Sequence, residues 1–278
     1  MANLTRDQAV LTVQGTDVPR IGFGTWQLTG RRAEDGVRDA LEIGYRHIDT
    51  ARMYANEAQV GAAIADSGVD RAEIFLTTKI SPSDFEPARL KAAADDSLRT
   101  LRTDYVDLLL LHWPNDSVPL EETLGALREL QEEGRIRHPG VSNFPAGMLE
   151  RALEILPLLA DQVEYHPFLG QDALLRLTAE REVMLTAYSP LARGRVPRDR
   201  ELTEIGEQHG KTAGQVALRW LIEQPQVTAV PKASSHERRV ENLDVFDFQL
   251  TDSDRERIAA LRKDRRTIDP SWAPDWTS

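Results

Sequence analysis

Asp49, Lys79 and His112 each stand where an apolar run of strand length stops, and Tyr54 follows Asp49 by five residues. An Asp and a Lys at neighbouring strand ends can pair, which makes each tolerable when partly buried. A structural salt bridge at the rim accounts for a bare Asp–Lys pair as well as a functional one does. A phenol beside a lysine ammonium has its pKa lowered from ~10, because the cation favours the phenolate. Such a phenol is a general acid usable near neutral pH. Neutral His112 could hydrogen-bond the same oxygen that the phenol protonates. Together these groups suit protonation of an oxygen that gains negative charge, as in carbonyl reduction. They suit nucleophilic catalysis poorly, because no Ser–His–Asp order or G-x-S-x-G elbow is present.

The elements that would carry these residues alternate along the chain. Short apolar runs read as strands at Ile21–Phe23, Tyr45–Ile48, Ile74–Lys79, Val106–Leu111, Gly140–Val141, Gln162–Glu164, Val183–Ala187 and Val227–Val230. Amphipathic segments at helical spacing lie between them, among them Ala33–Ile43, Ala58–Ser67, Pro87–Leu101 and Leu120–Glu133. Pro87 suits a first helical turn, and Gly134 suits a helix end. Two helices precede the last strand (about 198–208 and 213–223), and two follow it (about 235–243 and 253–262). Four consecutive leucines, Leu108 to Leu111, fit a strand buried on both faces of a parallel sheet. Eight strand–helix units predict an α/β fold, a (β/α)8 TIM barrel, with an open doubly wound sheet as the competing architecture. A hairpin around Gly15-Thr16-Asp17 precedes the barrel. The whole chain, 1–278, reads as one barrel domain.

In such a barrel the site gathers at the C-terminal strand ends. There stand Asp49, Lys79, His112, Ser142-Asn143, Gln162, Tyr188-Ser189 and Lys232. Any one alone reads as a loop residue; the repeated placement is the signal.

Composition narrows the classes. The chain has 278 residues, 41% apolar, no cysteine, and a net charge of −11. An anionic surface repels polyanions, which argues against a nucleic-acid partner or an acidic membrane. Without cysteine there is no disulfide, thiolate nucleophile or Cys-ligated metal. The six scattered histidines form no spaced pair, so no metal site is expected. No apolar run approaches ~18 residues, and Met1–Val10 does not read as a signal peptide. The expectation is a cytoplasmic monomer. Gly22-Phe23-Gly24-Thr25-Trp26-Gln27 lacks the third glycine of a dinucleotide fingerprint. Gly206 to Gly210-Lys211-Thr212 has three residues between its glycines where a P-loop needs four.

Several motifs then fall into one order. Gly44-Tyr45-Arg46-His47-Ile48-Asp49-Thr50-Ala51, with Tyr54, Asn56 and Glu57, resembles the aldo-keto reductase signature. Thr77-Thr78-Lys79 and Leu111-His112-Trp113-Pro114 resemble its lysine and histidine motifs. Gly140 to Phe144, Gln162 to Pro167, Tyr188 to Leu191, and Val230-Pro231-Lys232 with Arg238, Glu241 and Asn242 resemble its cofactor motifs. The resemblance spans essentially the whole chain, and is greatest to the prokaryotic branch with 2,5-diketo-D-gluconate and methylglyoxal reductases.

The resemblance implies NADPH-dependent reduction of small aldehydes and ketones, with methylglyoxal or keto sugars as substrates. It implies Tyr54 as general acid, Lys79 lowering its pKa, Asp49 holding Lys79, and His112 orienting the carbonyl. Ser142, Asn143 and Gln162 would hold the carboxamide, and Tyr188 would stack on the nicotinamide. Ser189, Leu191, Ala192 and Gly194 would follow the pyrophosphate. Lys232 and Arg238 would meet the 2′-phosphate, and Glu241 and Asn242 the adenine. Ala233 stands where the family usually has Ser, leaving Ser234 or Ser235 to replace a phosphate donor. Pro139, where an aliphatic residue is usual, predicts an irregular start to the fifth barrel strand. Trp26, Trp113 and Trp272, with Tyr54 and His112, would line the substrate pocket. The tail Arg265–Ser278 is expected to fold over the mouth as a lid. A cofactor-binding regulatory barrel with little turnover is the alternative; intact candidate catalytic residues weigh against it. A sugar-phosphate isomerase or aldolase would leave Tyr54 and the cofactor motifs unexplained.

Overall fold

A computed structural model describes residues 9–276; most of Met1–Val10, read above for a signal peptide, lies outside them. β1 (Val10–Val13) and β2 (Thr16–Pro19) form an antiparallel hairpin. Eight parallel strands follow in chain order: β3 (Phe23–Gly24), β4 (His47–Asp49), β5 (Phe75–Ile80), β6 (Val106–Leu111), β7 (Ile136–Ser142), β8 (Ala160–Glu164), β9 (Met184–Tyr188) and β10 (Val227–Ala229). A parallel bridge between Ile21 and Ala229 joins the first strand region to the last, closing the barrel. Gly24 lies at this seam, and a Cβ there would stand 2.7 Å from the Val230 carbonyl oxygen. Only glycine lets the two backbones approach this closely.

The helices form where amphipathic spacing places them. α1 (Arg31–Ile43) buries Ala33, Val37, Ala40 and Leu41 on one face and ends at Gly44, at φ 120°. α2 (Glu57–Asp66), α3 (Pro87–Leu101), α4 (Leu120–Glu132), α5 (Ala146–Ile155) and α6 (Asp172–Glu180) each follow a barrel strand. Glu86 caps α3 by accepting from the Arg89 N–H, with Pro87 in the first turn. α7 (Arg200–His209) and α8 (Ala213–Ile222) both precede β10, joined through the rejected P-loop look-alike. α9 (His236–Leu243) and α10 (Asp252–Ala259) complete the ring.

The expected (β/α)8 barrel, its hairpin and its overlying tail are all present, with most strand ends displaced by one or two residues. β7 differs more: it begins at Ile136, not Gly140, and runs through Pro139 without interruption. The irregularity expected at Pro139 is therefore absent. Pro139 faces β8 just before that strand starts, its carbonyl accepting from the Leu159 N–H at 2.9 Å. The missing proline N–H thus costs no ladder bond.

The hairpin closes the barrel at the start of the strands. Leu11, Val13 and Val18 pack with Phe75, Leu108, Leu110, Ala160 and Met184 in one apolar cluster. The opposite end stays open and carries the polar strand termini.

Candidate functional site

The shortest local segment with chemical consequence runs from Asp49 to Asn56. β4 ends at Asp49, and a single helical turn, Arg52–Tyr54, follows. Asn56 fixes that turn: its amide accepts from Thr50 Oγ1 at 2.7 Å and donates to the Thr25 and Leu28 carbonyls at 2.9 Å each. Ala55, at φ 53°, turns the chain between Tyr54 and this anchor. The result aims Tyr54 back over the barrel mouth.

A chain of polar contacts then crosses three strands. Gln162 Nε2 donates to Asp49 Oδ2 at 2.6 Å, and Lys79 Nζ donates to Asp49 Oδ1 at 2.6 Å. Lys79 also donates to the Thr50 carbonyl at 2.8 Å and approaches the Tyr54 hydroxyl at 3.5 Å. Lys79 and Asp49 are buried, so each charge depends on the other and on these hydrogen bonds. His112 packs edge-on to Tyr54, ring centroids 5.7 Å apart.

The protonation states follow from burial. Burial pulls the Lys79 ammonium below its ordinary value against the opposing pull of Asp49. Burial, then the nearby Lys79 charge, lowers His112 to about 3. The Tyr54 phenol moves opposite to the sequence expectation. Burial, with the Asp49 charge added, pushes it well above its usual value. Lys79, closer to Asp49 at 2.6 Å than to the Tyr54 hydroxyl at 3.5 Å, does not reverse this. Tyr54 is thus held in its protonated, proton-donating form, beside a neutral imidazole.

The remaining strand-end residues converge here. Ser142 Oγ donates to the Gln162 carbonyl at 2.7 Å. Asn143 Nδ2 donates to the His112 carbonyl at 3.0 Å, and its Oδ1 accepts from the Tyr188 hydroxyl at 2.7 Å. These side chains line a chamber of about 460 Å³ with Tyr54, His112 and Asp49. Trp26, Trp113 and Trp272 line it too. Trp113 meets Trp272 edge-on at 4.9 Å, so the tail does cover the mouth.

A second cavity of about 830 Å³ adjoins the chamber and shares Trp26, Ser189, Arg193 and Lys232 with it. Leu191, Gly194, Ala233, Arg238, Glu241 and Asn242 line this groove. Two predicted residues stand differently. Ala192 is fully buried in a cluster with Val196 and Leu202, beneath the groove rather than along it. Ser234 lies at the groove's edge, where its hydroxyl accepts from Lys232 Nζ at 2.7 Å. Burial and the neighbouring Arg238 cation lower the Lys232 ammonium from its usual value. Lys232 and Arg238, in no ion pair among the described residues, suit an anionic group. Among the described residues, no group of three or more His, Cys, Asp or Glu could hold a metal ion. No helix there is long and apolar enough to cross a membrane.

Sequence reasoning did not single out Arg193, Met53 or Glu164. Arg193 lines both cavities, its guanidinium 4.8 Å from the Trp26 ring centroid. Met53 and the tail segment 267–270 complete the chamber wall. Glu164 lies behind them, fully buried. Strand alternation was the available signal for Glu164, since it shares a face with Gln162.

The comparisons agree with this geometry. Residues 20–263 match the model of the aldo/keto reductase family. The chain is 41% identical to the glyoxal reductase of Bacillus subtilis over 91% of its own length and 92% of that protein's. It is 37% identical to the methylglyoxal reductase DkgB of Escherichia coli O157:H7, covering 93% and 99%. A crystal structure carrying the provisional name 2,5-diketo-D-gluconic acid reductase B superposes with a TM-score of 0.94 at 43% identity, covering 97% of each chain. In sequence and in structure alike, the chain belongs to the aldo/keto reductase family, oxidoreductases that act on carbonyl compounds with a nicotinamide cofactor.

Proposed function

We propose that the protein reduces small aldehydes and ketones, of the size of methylglyoxal, with NADPH, and that Tyr54 supplies the proton. One observation carries the reading. The polar chain Gln162–Asp49–Lys79 ends at a protonated phenol in a chamber walled by aromatic rings.

The cavities fit the cofactor. A flat polar corner built from Ser142, Asn143 and Gln162 suits a carboxamide, and Tyr188 offers a ring wall beside it. The groove continues from there to Lys232 and Arg238, which suit a 2′-phosphate. With Ala233 in place of a hydroxyl donor, Ser234 stands close enough to replace it. When bound, the nicotinamide supplies the hydride.

The chain's own residues do the rest. His112, its pKa lowered to about 3 by burial, is neutral near pH 7 and can offer an N–H to a carbonyl oxygen without competing for the proton. Tyr54 hydrogen-bonds the same oxygen and gives up its proton as negative charge develops there. A phenol with a raised pKa stays protonated until that moment. Lys79 then stabilises the phenolate, and Asp49 keeps Lys79 in place. The Trp26, Trp113 and Trp272 rings exclude water and favour compact substrates.

The test is a titration of the full chain with NADPH, followed by intrinsic tryptophan fluorescence, then addition of methylglyoxal. Tight binding with turnover, and unchanged binding without turnover in Tyr54→Phe, supports the reading. Tight binding without turnover of any carbonyl by the unmutated chain would make the protein a regulatory cofactor-binding barrel instead.

A further inference from the structure

We propose that Glu164 is a positioning residue that fixes the C-terminal tail over the barrel mouth and so sets the width of the substrate chamber. The inference rests on the reductase reading for its substrate, but not for its mechanical content.

Glu164 ends β8 and has no exposed surface. A buried carboxylate is costly unless donors surround it. Here four donors do, and three belong to the tail. Oε1 accepts from the Thr267 N–H at 2.8 Å and from Thr267 Oγ1, and Oε2 accepts from the Ile268 N–H at 3.0 Å. The fourth donor is His166 Nε2 at 3.0 Å. The His166 ring accepts from the Phe168 N–H at Nδ1, which leaves its proton on Nε2 for Glu164. Burial alone would raise the Glu164 carboxyl, yet these hydrogen bonds outweigh it and hold the group below its ordinary value.

The tail residues held this way are chamber residues. Thr267 and Ile268 line the cavity together with Tyr54 and His112, and Trp272 follows four residues later. The tail's other anchor is aromatic: Trp272 and Trp276 against Trp113, at 4.9 and 6.1 Å. Trp272 is 57% exposed, so that anchor lies half in water. The carboxylate is the dry one. Gln162, two residues earlier on β8, holds Asp49. One strand therefore fixes both the catalytic carboxylate and the wall that faces it.

Glu164→Gln keeps the volume but replaces one acceptor oxygen by a donor amide, which must then face an N–H. The test compares Glu164→Gln, Thr267→Val and the double variant in the full chain. Two readouts are taken: tryptic cleavage after Arg265 and Arg266, and steady-state kinetics with methylglyoxal. Each single variant is expected to speed cleavage and to raise KM, about tenfold for Glu164→Gln. In both, kcat should change less than about threefold, and the Kd for NADPH should not move. The double variant should show little beyond Glu164→Gln, because both changes act on one contact. Unchanged cleavage rates, or fully additive effects, would overturn the proposal. Should Glu164→Gln not fold, Thr267→Val decides by the same two readouts. Absence of turnover in the unmutated chain would count against the reductase reading alone, since cleavage rates still test the latch.

Discussion

The two ends of the barrel are made from the same strands and could hardly differ more. At the hairpin end, Leu11, Val13 and Val18 meet Leu108 and Leu110 in a dry apolar cluster. At the mouth, Asp49, Lys79, Ser142, Asn143, Gln162 and Glu164 are all buried. Each polar group there carries a desolvation cost that only a hydrogen bond offsets. Hydrogen-bonded networks therefore hold the mouth together, while the hairpin end supplies apolar burial. Stability and chemistry are separated along the strand axis, and a substitution at either end should show which it serves.

Tyr54→Phe is the largest expected effect. It removes the proton donor but keeps the ring edge-on to His112. Turnover of methylglyoxal should fall by about 10³-fold, on the order of what general acids contribute. The unfolding midpoint should hardly change. Equal kcat in variant and parent would end the general-acid assignment.

At the opposite end the signs reverse. Leu108 is buried in one cluster with the hairpin residues. Leu108→Ala should cost about 3 kcal/mol of stability, read by urea denaturation, because a core cavity there cannot collapse fully. Its kcat at 25 °C should stay within about twofold of the parent. A large kcat loss with unchanged stability would show that the two ends are not separable.

The comparison also explains what the sequence could reveal. Val106–Leu111 was legible to the residue because a strand buried on both faces needs no alternation. Pro87–Leu101 was legible because proline marks a helix start. Ile136–Pro139 was missed, since Arg137, His138 and Pro139 interrupt the apolar run. Pairing with β6 overrides that reading, with Leu108 opposite His138 and Leu109 opposite Pro139. At the mouth, strand ends announced Asp49, Lys79, His112 and Gln162. Alternation with Gln162 marked the position of Glu164 but not its role, because its partner Thr267 lies 103 residues away. The Tyr54 shift was misread for a similar reason. Spacing shows that a lysine is near, but not that it lies closer to an aspartate.

Within the mouth, the groove and the chamber should separate too. Arg238 lines the groove but not the chamber, whereas Lys232 stands where the two cavities meet. Arg238→Ala should weaken NADPH binding about tenfold and NADH binding less than about twofold, since only NADPH carries the 2′-phosphate. Matched losses for both cofactors in parallel fluorescence titrations would contradict that placement.

His112 provides the smallest and most specific measurement. Its folded-state pKa is about 3, lowered by burial and then by the Lys79 charge. The unfolded value is ~6.5. Between those values the unfolded chain binds one more proton than the folded chain, so stability must fall as pH falls. The contribution is complete above about pH 6.5 and is lost progressively toward pH 3, at no more than ~1.4 kcal/mol per pH unit. His47 is also buried with a lowered pKa, and it adds a slope of the same sign. The informative quantity is therefore the difference between the parent and His112→Gln in urea midpoints at pH 4, 5 and 6. The variant should lose stability less steeply, by up to one proton's worth. Identical slopes would mean that water reaches His112 and that burial does not hold its imidazole neutral.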